Sequence, residues 1–482
     1  MNFKVVLKIV GRVITMEAFV MLIPTFVAAF YGEDITPFLM SIILVLFLGV
    51  ILSSMNATKE FFIREGFFTV GLIWLATGFI GALPFYYSGY FPSFIDCIFE
   101  SCSGFTTTGA TILTEIESLP KGILFWRSLT HWLGGMGVLV LATALIPTIG
   151  IRTKYLTQAE SPGPVFSKLV PKQAQTSKIL YAIYCFLTVA EAICLRIAGM
   201  PWYDSFIHAF GTAGTGGFSN MNASVGAYDS FAIDMVISVF ILLFSINFAM
   251  YFLLMTRKFK EIFKSDELRF FLAIVAIATF IVTININHIY PDLKEAFRYA
   301  FFQVCSIIST TGFATADWLY WPQICQMIFI LLMFCGACAG STGGGIKCSR
   351  VLLLIKSAIR DLRLSMHPKK VQTIRLDGRS VSERTVSGVT MYLTIYCFIV
   401  IVSFLLVSLD GFSVESNFSA VMACFNNIGP GFDAVGPMSN FADFSPFSKL
   451  ILCFDMLAGR LEIYPIMILL MKRTWADSKR KA

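Results

Sequence analysis

The chain has 482 residues, 56% of them hydrophobic and only 14% charged, with a mean hydropathy of +0.75. That composition excludes a soluble multidomain protein, because a water-facing surface needs about a quarter of its residues charged. The formal charge of +7 comes from Lys and Arg gathered at alternate ends of apolar runs, a pattern that sets membrane topology and needs no nucleic-acid partner.

The chain opens on Lys4, Lys8 and Arg12, and the apolar run that follows continues to about Phe30 without a small-residue cleavage site. It reads as a retained first helix rather than a removed signal. Further runs lie near 36–55, 67–90, 123–147, 177–199, 230–256, 270–287, 322–356, 387–408 and 447–471. Most approach the roughly 20 residues that span a bilayer as helix. Basic clusters at Lys59 and Arg64, at 152–178, 257–269 and 347–384, and in the tail 472–481 mark cytoplasmic loops, with both termini cytoplasmic. The 12 cysteines lie mostly inside apolar runs, as do Cys185, Cys194, Cys325, Cys335 and Cys453, without metal-ligand spacing. They read as small hydrophobes.

After the first two runs the rest fall into four pairs, each enclosing a segment too short to cross: 91–111, 202–219, 293–315 and 414–432. Each ends in a cluster of Gly with Thr or Asn: SGFTTTGAT at 103–111, GTAGTGGFS at 211–219, SIISTTGFAT at 306–315 and CFNNIGPGFD at 424–433. A segment that enters and returns on one face preserves the charge parity. The predicted fold is an all-α polytopic membrane protein with four pseudo-symmetric units of helix, re-entrant pore loop and helix around a central pore, preceded by two extra helices. The expected divisions are 1–60, 61–160, 161–265, 266–380 and 381–482.

Non-helical backbone at membrane depth survives only where it is buried in protein or lines a watery cavity. Gly permits the angles that turn successive carbonyls inward, and a ring of carbonyls can replace the hydration shell of a cation. The predicted ring residues are Thr107, Thr108 and Gly109; Gly214, Thr215 and Gly216; Thr310, Thr311 and Gly312; and Asn427, Ile428 and Gly429. No carboxylate lies within these stretches, which favours a weakly hydrated monovalent cation such as potassium. The C-terminal ends of the short preceding helices add negative potential at the cavity.

In FCGACAGSTGGGIKCSR, residues 334–350, Gly336, Gly340, Gly343, Gly344 and Gly345 interrupt the eighth run. Each Gly costs about 1 kcal/mol against Ala in a helix, so the run is expected to unwind into a loop that obstructs the pore and moves aside. Close helix packing through small residues is the alternative. Arg460, near the middle of the last run, is expected to face the pore as a barrier to cations. The alternative is a structural pair with Asp455 or Glu462, the latter off its helical face. The basic stretch 347–384 suits either a soluble regulator or a membrane surface.

A coupled transporter with broken helices is a rival reading, although such designs are usually inverted repeats. A voltage sensor is disfavoured because no span carries a basic residue at every third position. The scattered His131, His208, His288 and His367 form no catalytic set, so no enzyme is expected. His131 and Trp132 read as an interfacial start to the fourth span, and His208 as a packed, hydrogen-bonded residue.

In the motifs TTTGA at 106–110, GGFS at 216–219, TTGF at 310–313, NNIGPG at 426–431, GACAGSTGGGIK at 336–347 and GRLE at 459–462, the chain resembles the Trk, Ktr and HKT superfamily of potassium transporters. The two extra leading helices are similar to the bacterial Trk type. The resemblance implies that Gly109, Gly216, Gly312 and Gly429 are selectivity-filter glycines and that potassium is the cargo. It implies that 336–347, with Ser341, Thr342 and Lys347, is an intramembrane gate, and that Arg460 lies just below the filter. It further implies a homodimer in the bacterial inner membrane, bound by a cytosolic nucleotide-binding regulatory ring, TrkA in the Trk case. Nucleotide is then expected only on that partner, and no cofactor is bound covalently. A proton- or sodium-coupled symporter of the same fold is the alternative.

Overall fold

The computed structural model describes residues 1–56, 61–137, 173–370 and 372–471. The second half of the run 123–147, the basic cluster 152–172 and the basic tail 472–481 lie outside the described residues.

Six described helices are long and apolar enough to cross a membrane, and their identity is informative. Phe3–Phe30 and Thr36–Ser53 are the two leading spans, and Ile63–Ser88, Lys178–Ile197, Asp266–Ile286 and Glu383–Asp410 are the first helices of the four units. The leading pair packs through small residues: an added Cβ at Gly11 would meet Leu52 Cβ at 2.6 Å. Large apolar side chains such as Phe186, Phe280, Leu331 and Phe398 stand exposed on the outside, as a lipid-facing surface requires. The chain is a multi-pass helical membrane protein.

Inside the outer helices lie four short ones: Phe94–Phe105, Trp202–Gly214, Leu293–Ile308 and Val414–Phe425. Three begin at a side-chain cap, where Ser93, Asp292 and Ser413 accept from the backbone N–H of Asp96, Glu295 and Ser416. The fourth follows Pro201. Each has a carboxylate in its first turn, Asp96, Asp204, Glu295 or Glu415, which complements the helix dipole.

The second helices of the units differ from the unbroken spans that hydropathy predicts. Lys121–Gly135 stops before Gly137 at φ +80°, and Phe231–Ser245 gives way to Ala249–Met255 through a 95° bend. Gln323–Cys335 ends at Gly336 with φ +68°, and Pro446–Arg460 ends before Glu462 and Ile463, both at positive φ. Only the third of these breaks was expected. The runs 230–256 and 447–471 are therefore each two pieces. Such breaks are tolerated because the freed backbone groups find protein partners. Ser245 O accepts from Cys338 N at 3.1 Å, and Phe244 O accepts from Thr342 Oγ1 at 3.2 Å.

On the polar side, Cys348–Met366 carries the chain into a two-stranded hairpin pairing Arg375 with Ser380. Lys356 on Asp266 at 2.7 Å fastens it down, and Arg360 on Glu383 does the same at 2.5 Å.

Candidate ion-conduction site

Each short helix runs into an identical turn. The backbone N–H groups of Thr107, Thr215, Thr310 and Asn427 donate three residues back, to Gly104, Thr212, Ile307 and Cys424, at 3.0–3.2 Å. The next N–H groups, of Thr108, Gly216, Thr311 and Ile428, donate five residues back, to Ser103, Gly211, Ser306 and Ala423, at 2.8–2.9 Å. The first residue of each turn is left-handed, at φ 56°, 55°, 65° and 56°. Such a conformation costs about 1–2 kcal/mol outside Gly, and the paired bonds hold it.

The third residue of each turn is Gly at positive φ: Gly109, Gly217, Gly312 and Gly429. The equivalent positions in the second loop are thus Thr215, Gly216 and Gly217, one residue later than the sequence alignment on Gly216. Gly214 is a helical residue, the counterpart of Thr106, Ser309 and Asn426, and sits against His131. The shift arises because two adjacent glycines leave the alignment ambiguous, whereas the hydrogen bonds do not.

These glycines close a ring. A Cβ on Gly109 would overlap Gly216 O, one on Gly217 would overlap Thr311 O, one on Gly312 would overlap Ile428 O, and one on Gly429 would lie 2.7 Å from Thr108 O. The order runs first to second, second to third, third to fourth and fourth to first. Four backbone carbonyls therefore abut four α-carbons in a continuous circle. Thr107 Oγ1 and Asn427 Oδ1 are buried beside it with no protein partner.

Charges buried between units brace the ring. Arg127 pairs with Glu100 at 2.5 Å, donates to Ser219 O at 2.9 Å and lies 3.5 Å over the Phe218 ring, so it ties the first loop to the second. Glu100 also accepts from Thr111 Oγ1 and Ile112 N, the returning limb of the first loop. Arg298 on Asp234 at 2.6 Å joins the second unit to the third, and Lys449 on Asp96 at 2.6 Å joins the fourth to the first. Trp318 packs on Phe432 across the third junction with ring centroids 4.7 Å apart. The fourth loop is further fixed by Asn427 Nδ2, which donates to Thr108 Oγ1 at 3.0 Å and to Met456 O at 2.9 Å.

His131 is not interfacial, contrary to the sequence reading. It is buried, with Nδ1 2.8 Å from Gly104 O and its ring against Phe218 at 4.1 Å, where it backs Gly216. His208 is packed between Asp204 O and Ser219 Oγ, at 2.8 and 3.0 Å.

The segment 336–347 lies against the inner side of the ring and touches the second, third and fourth units. Gly344 N donates to Thr310 Oγ1 at 2.6 Å. A Cβ on Gly343 would meet Ser309 O at 2.7 Å, and one on Gly344 would meet Asn426 O at 2.5 Å, so only glycine fits here. Gly340 O accepts from Phe248 N at 3.0 Å in the second unit's break. Lys347 Nζ folds back on Gly343 O, while Glu267 accepts from Ala339 N at 2.7 Å and Ser349 N at 3.1 Å. Ser341 Oγ donates to Cys338 O at 2.6 Å.

Arg460 sits at the end of the broken last helix rather than in the middle of a continuous one. Its guanidinium donates to Thr342 O at 2.7 Å, to Gly134 O at 2.5 Å and to Gly135 O at 2.7 Å. It thereby joins the loop to the carbonyl end of the first unit's second helix, a location that favours a cation. Glu462 instead engages Arg350, and Asp455 accepts from Ser403 Oγ at 2.7 Å. The braces Glu100–Arg127 and Asp96–Lys449 were missed in the sequence; ionisable residues inside apolar runs were the available signal.

The comparisons agree with this geometry. The family model TrkH, described as a cation transport protein, matches residues 35–479. The chain is 38% identical to the Trk system potassium uptake protein TrkH of Escherichia coli (strain K12), with 99% of this chain and 100% of that protein covered. It is 34% identical to the Trk system potassium uptake protein TrkG of the same organism, covering 98% and 99%. The crystal structure of the potassium transporter TrkH from Vibrio parahaemolyticus superposes with a TM-score of 0.88 at 36% identity, covering 99% of this chain and 100% of that one. Family match, full-length relatives and superposed fold together establish that the chain belongs to the TrkH family of cation transport proteins.

Proposed function

We propose that the chain takes up potassium across the bacterial inner membrane by conducting it through the ring of Thr108, Gly216, Thr311 and Ile428 carbonyls. The closed circle of carbonyls against Gly109, Gly217, Gly312 and Gly429 carries the reading. Neutral oxygens held by a braced scaffold substitute for the water of a weakly hydrated cation and repel anions. Thr107 Oγ1 and Asn427 Oδ1 supply further oxygen donors at the inner edge. Full-length relatives that bear the name of Trk system potassium uptake proteins support potassium as the cargo.

The segment 336–347 acts as the gate. Its position against the ring blocks the route inward, and its glycines let it refold without side chains to extract. Arg460 latches it. Both termini face the cytoplasm, two copies associate, and a cytosolic nucleotide-binding regulatory ring of TrkA type binds the basic surface of Cys348–Met366 and its hairpin to move the loop. Exposed Arg363, Lys369 and Lys370 suit that partner. Flux from purified protein in liposomes tests the reading: potassium and rubidium should pass, with sodium slower and chloride excluded. Chloride passage, or equal sodium passage, would overturn it.

A further inference from the structure

We infer that Cys335 and Cys348 form an oxidisable thiol pair at the neck of the loop 336–347, a modification site whose closure to a disulfide fixes the loop in the blocking arrangement. The inference rests on the gate reading given above.

The two residues bracket the segment. Cys335 is the last residue of one helix and Cys348 the first of the next, and their sulfurs are 3.4 Å apart. The backbone between them is pinched at the same level. Cys348 N donates to Ala337 O at 2.9 Å, Cys348 Sγ lies 3.2 Å from Gly336 O, and a Cβ on Gly345 would sit 2.8 Å from Gly336 Cα. The twelve residues of the loop therefore leave and return through one narrow crossing. A disulfide requires the sulfurs to close to about 2.05 Å, an approach of about 1.4 Å available by side-chain rotation at two helix ends. An opening that draws the loop away from Thr310 and Asn426 by parting its two limbs separates this crossing, and a covalent bond between Cys335 and Cys348 opposes it.

The chemistry balances with hydrogen peroxide as oxidant. One thiol attacks the peroxide oxygen, its proton and the departing hydroxide leave as water, and a sulfenic acid remains. The second thiol displaces the sulfenic hydroxyl as a second water and forms the S–S bond. Two thiols lose two electrons in total and the O–O bond gains them. A dithiol reductant reverses the step by exchange.

Cys338 is buried nearby and is the obvious competitor. The test treats the full chain in liposomes with hydrogen peroxide, maps the 335–348 linkage by peptide mass spectrometry, and measures rubidium flux on the same sample before and after dithiothreitol. Wild type and Cys338→Ser should form the linkage and lose flux, with recovery on reduction. Cys335→Ser and Cys348→Ser should retain their flux in peroxide. Absence of the linkage in wild type, or a linkage to Cys338 instead, would overturn the site. A linkage that leaves flux unchanged would overturn its control of the loop. Because the mass readout is independent of transport, failure of the site is distinguishable from failure of the gate reading, which deletion within the loop tests separately.

Discussion

Arg460 offers the sharpest perturbation. Among the described residues its guanidinium donates charge-assisted hydrogen bonds to Gly134 O and Gly135 O on a helix end and to Thr342 O on the loop. A contact shifts a two-state equilibrium only by the amount it differs between the states. The helix-end bonds can persist when the loop moves, so the bond to Thr342 O is the differential one. A hydrogen bond to a charged group contributes about 1.5–3 kcal/mol net. Arg460→Ala should accordingly raise the open fraction by about 10- to 100-fold from a mostly closed start. Rubidium uptake into liposomes without any regulator measures this, with the potassium-to-sodium ratio as control, because the hydrogen bonds of Arg460 among the described residues go to Gly134, Gly135 and Thr342 rather than to the ring carbonyls. Arg460→Lys separates a latch from a charge barrier. One ammonium cannot span both helix end and loop as the planar fork does, so a latch predicts higher flux and a barrier predicts none. Uptake by Arg460→Ala within twofold of wild type, at equal protein and equal melting temperature, would refute the argument.

The ring, its braces and the loop give further expectations. Gly217→Ala should abolish flux, since it combines left-handed strain with overlap on Thr311 O for about 2–5 kcal/mol. Gly89→Ala has similar φ but open space around it, and should leave flux near wild type. Glu100→Gln leaves Arg127 buried without its counter-charge, and should cost about 3–5 kcal/mol, read as a lower melting temperature in detergent, with partial recovery in a double variant carrying apolar residues at both positions. Excising part of 340–345 should open the pore without a regulator; a folded but silent protein would contradict the gate.

Much of the architecture was legible because it is written in composition and repetition. The four clusters and the long spans follow from the residue pattern and hydropathy; glycine density at 336–345 marked the interruption, while the bounds 336–347, which the helix ends at Cys335 and Cys348 match, came from the family resemblance. The second loop's register was misread because Gly216 and Gly217 are adjacent. The pattern of a left-handed residue followed two positions later by Gly, as in Thr107 and Gly109 or Thr310 and Gly312, would have selected Thr215 with Gly217. The breaks after Ser245 and Arg460 were invisible to hydropathy, since apolar residues resume on both sides; Asn247 and the GRLE motif mark the breaks but are no more polar than Asp234, Lys449 and Asp455 inside the intact helices. The role of Arg460 depends on Gly134, Gly135 and Thr342, all more than 100 residues away in sequence. Local pattern cannot supply such partners. The same holds for Lys449 with Asp96, a brace that exists only once the fourth unit closes on the first.

If the four carbonyl turns form one potassium-selective ring, they set the reversal potential under opposed potassium and sodium gradients. Purified protein with the latch removed by Arg460→Ala should reverse far toward the potassium equilibrium potential and hold that value when chloride is replaced by a large anion. Reversal near zero, or a shift that follows chloride, would contradict the account.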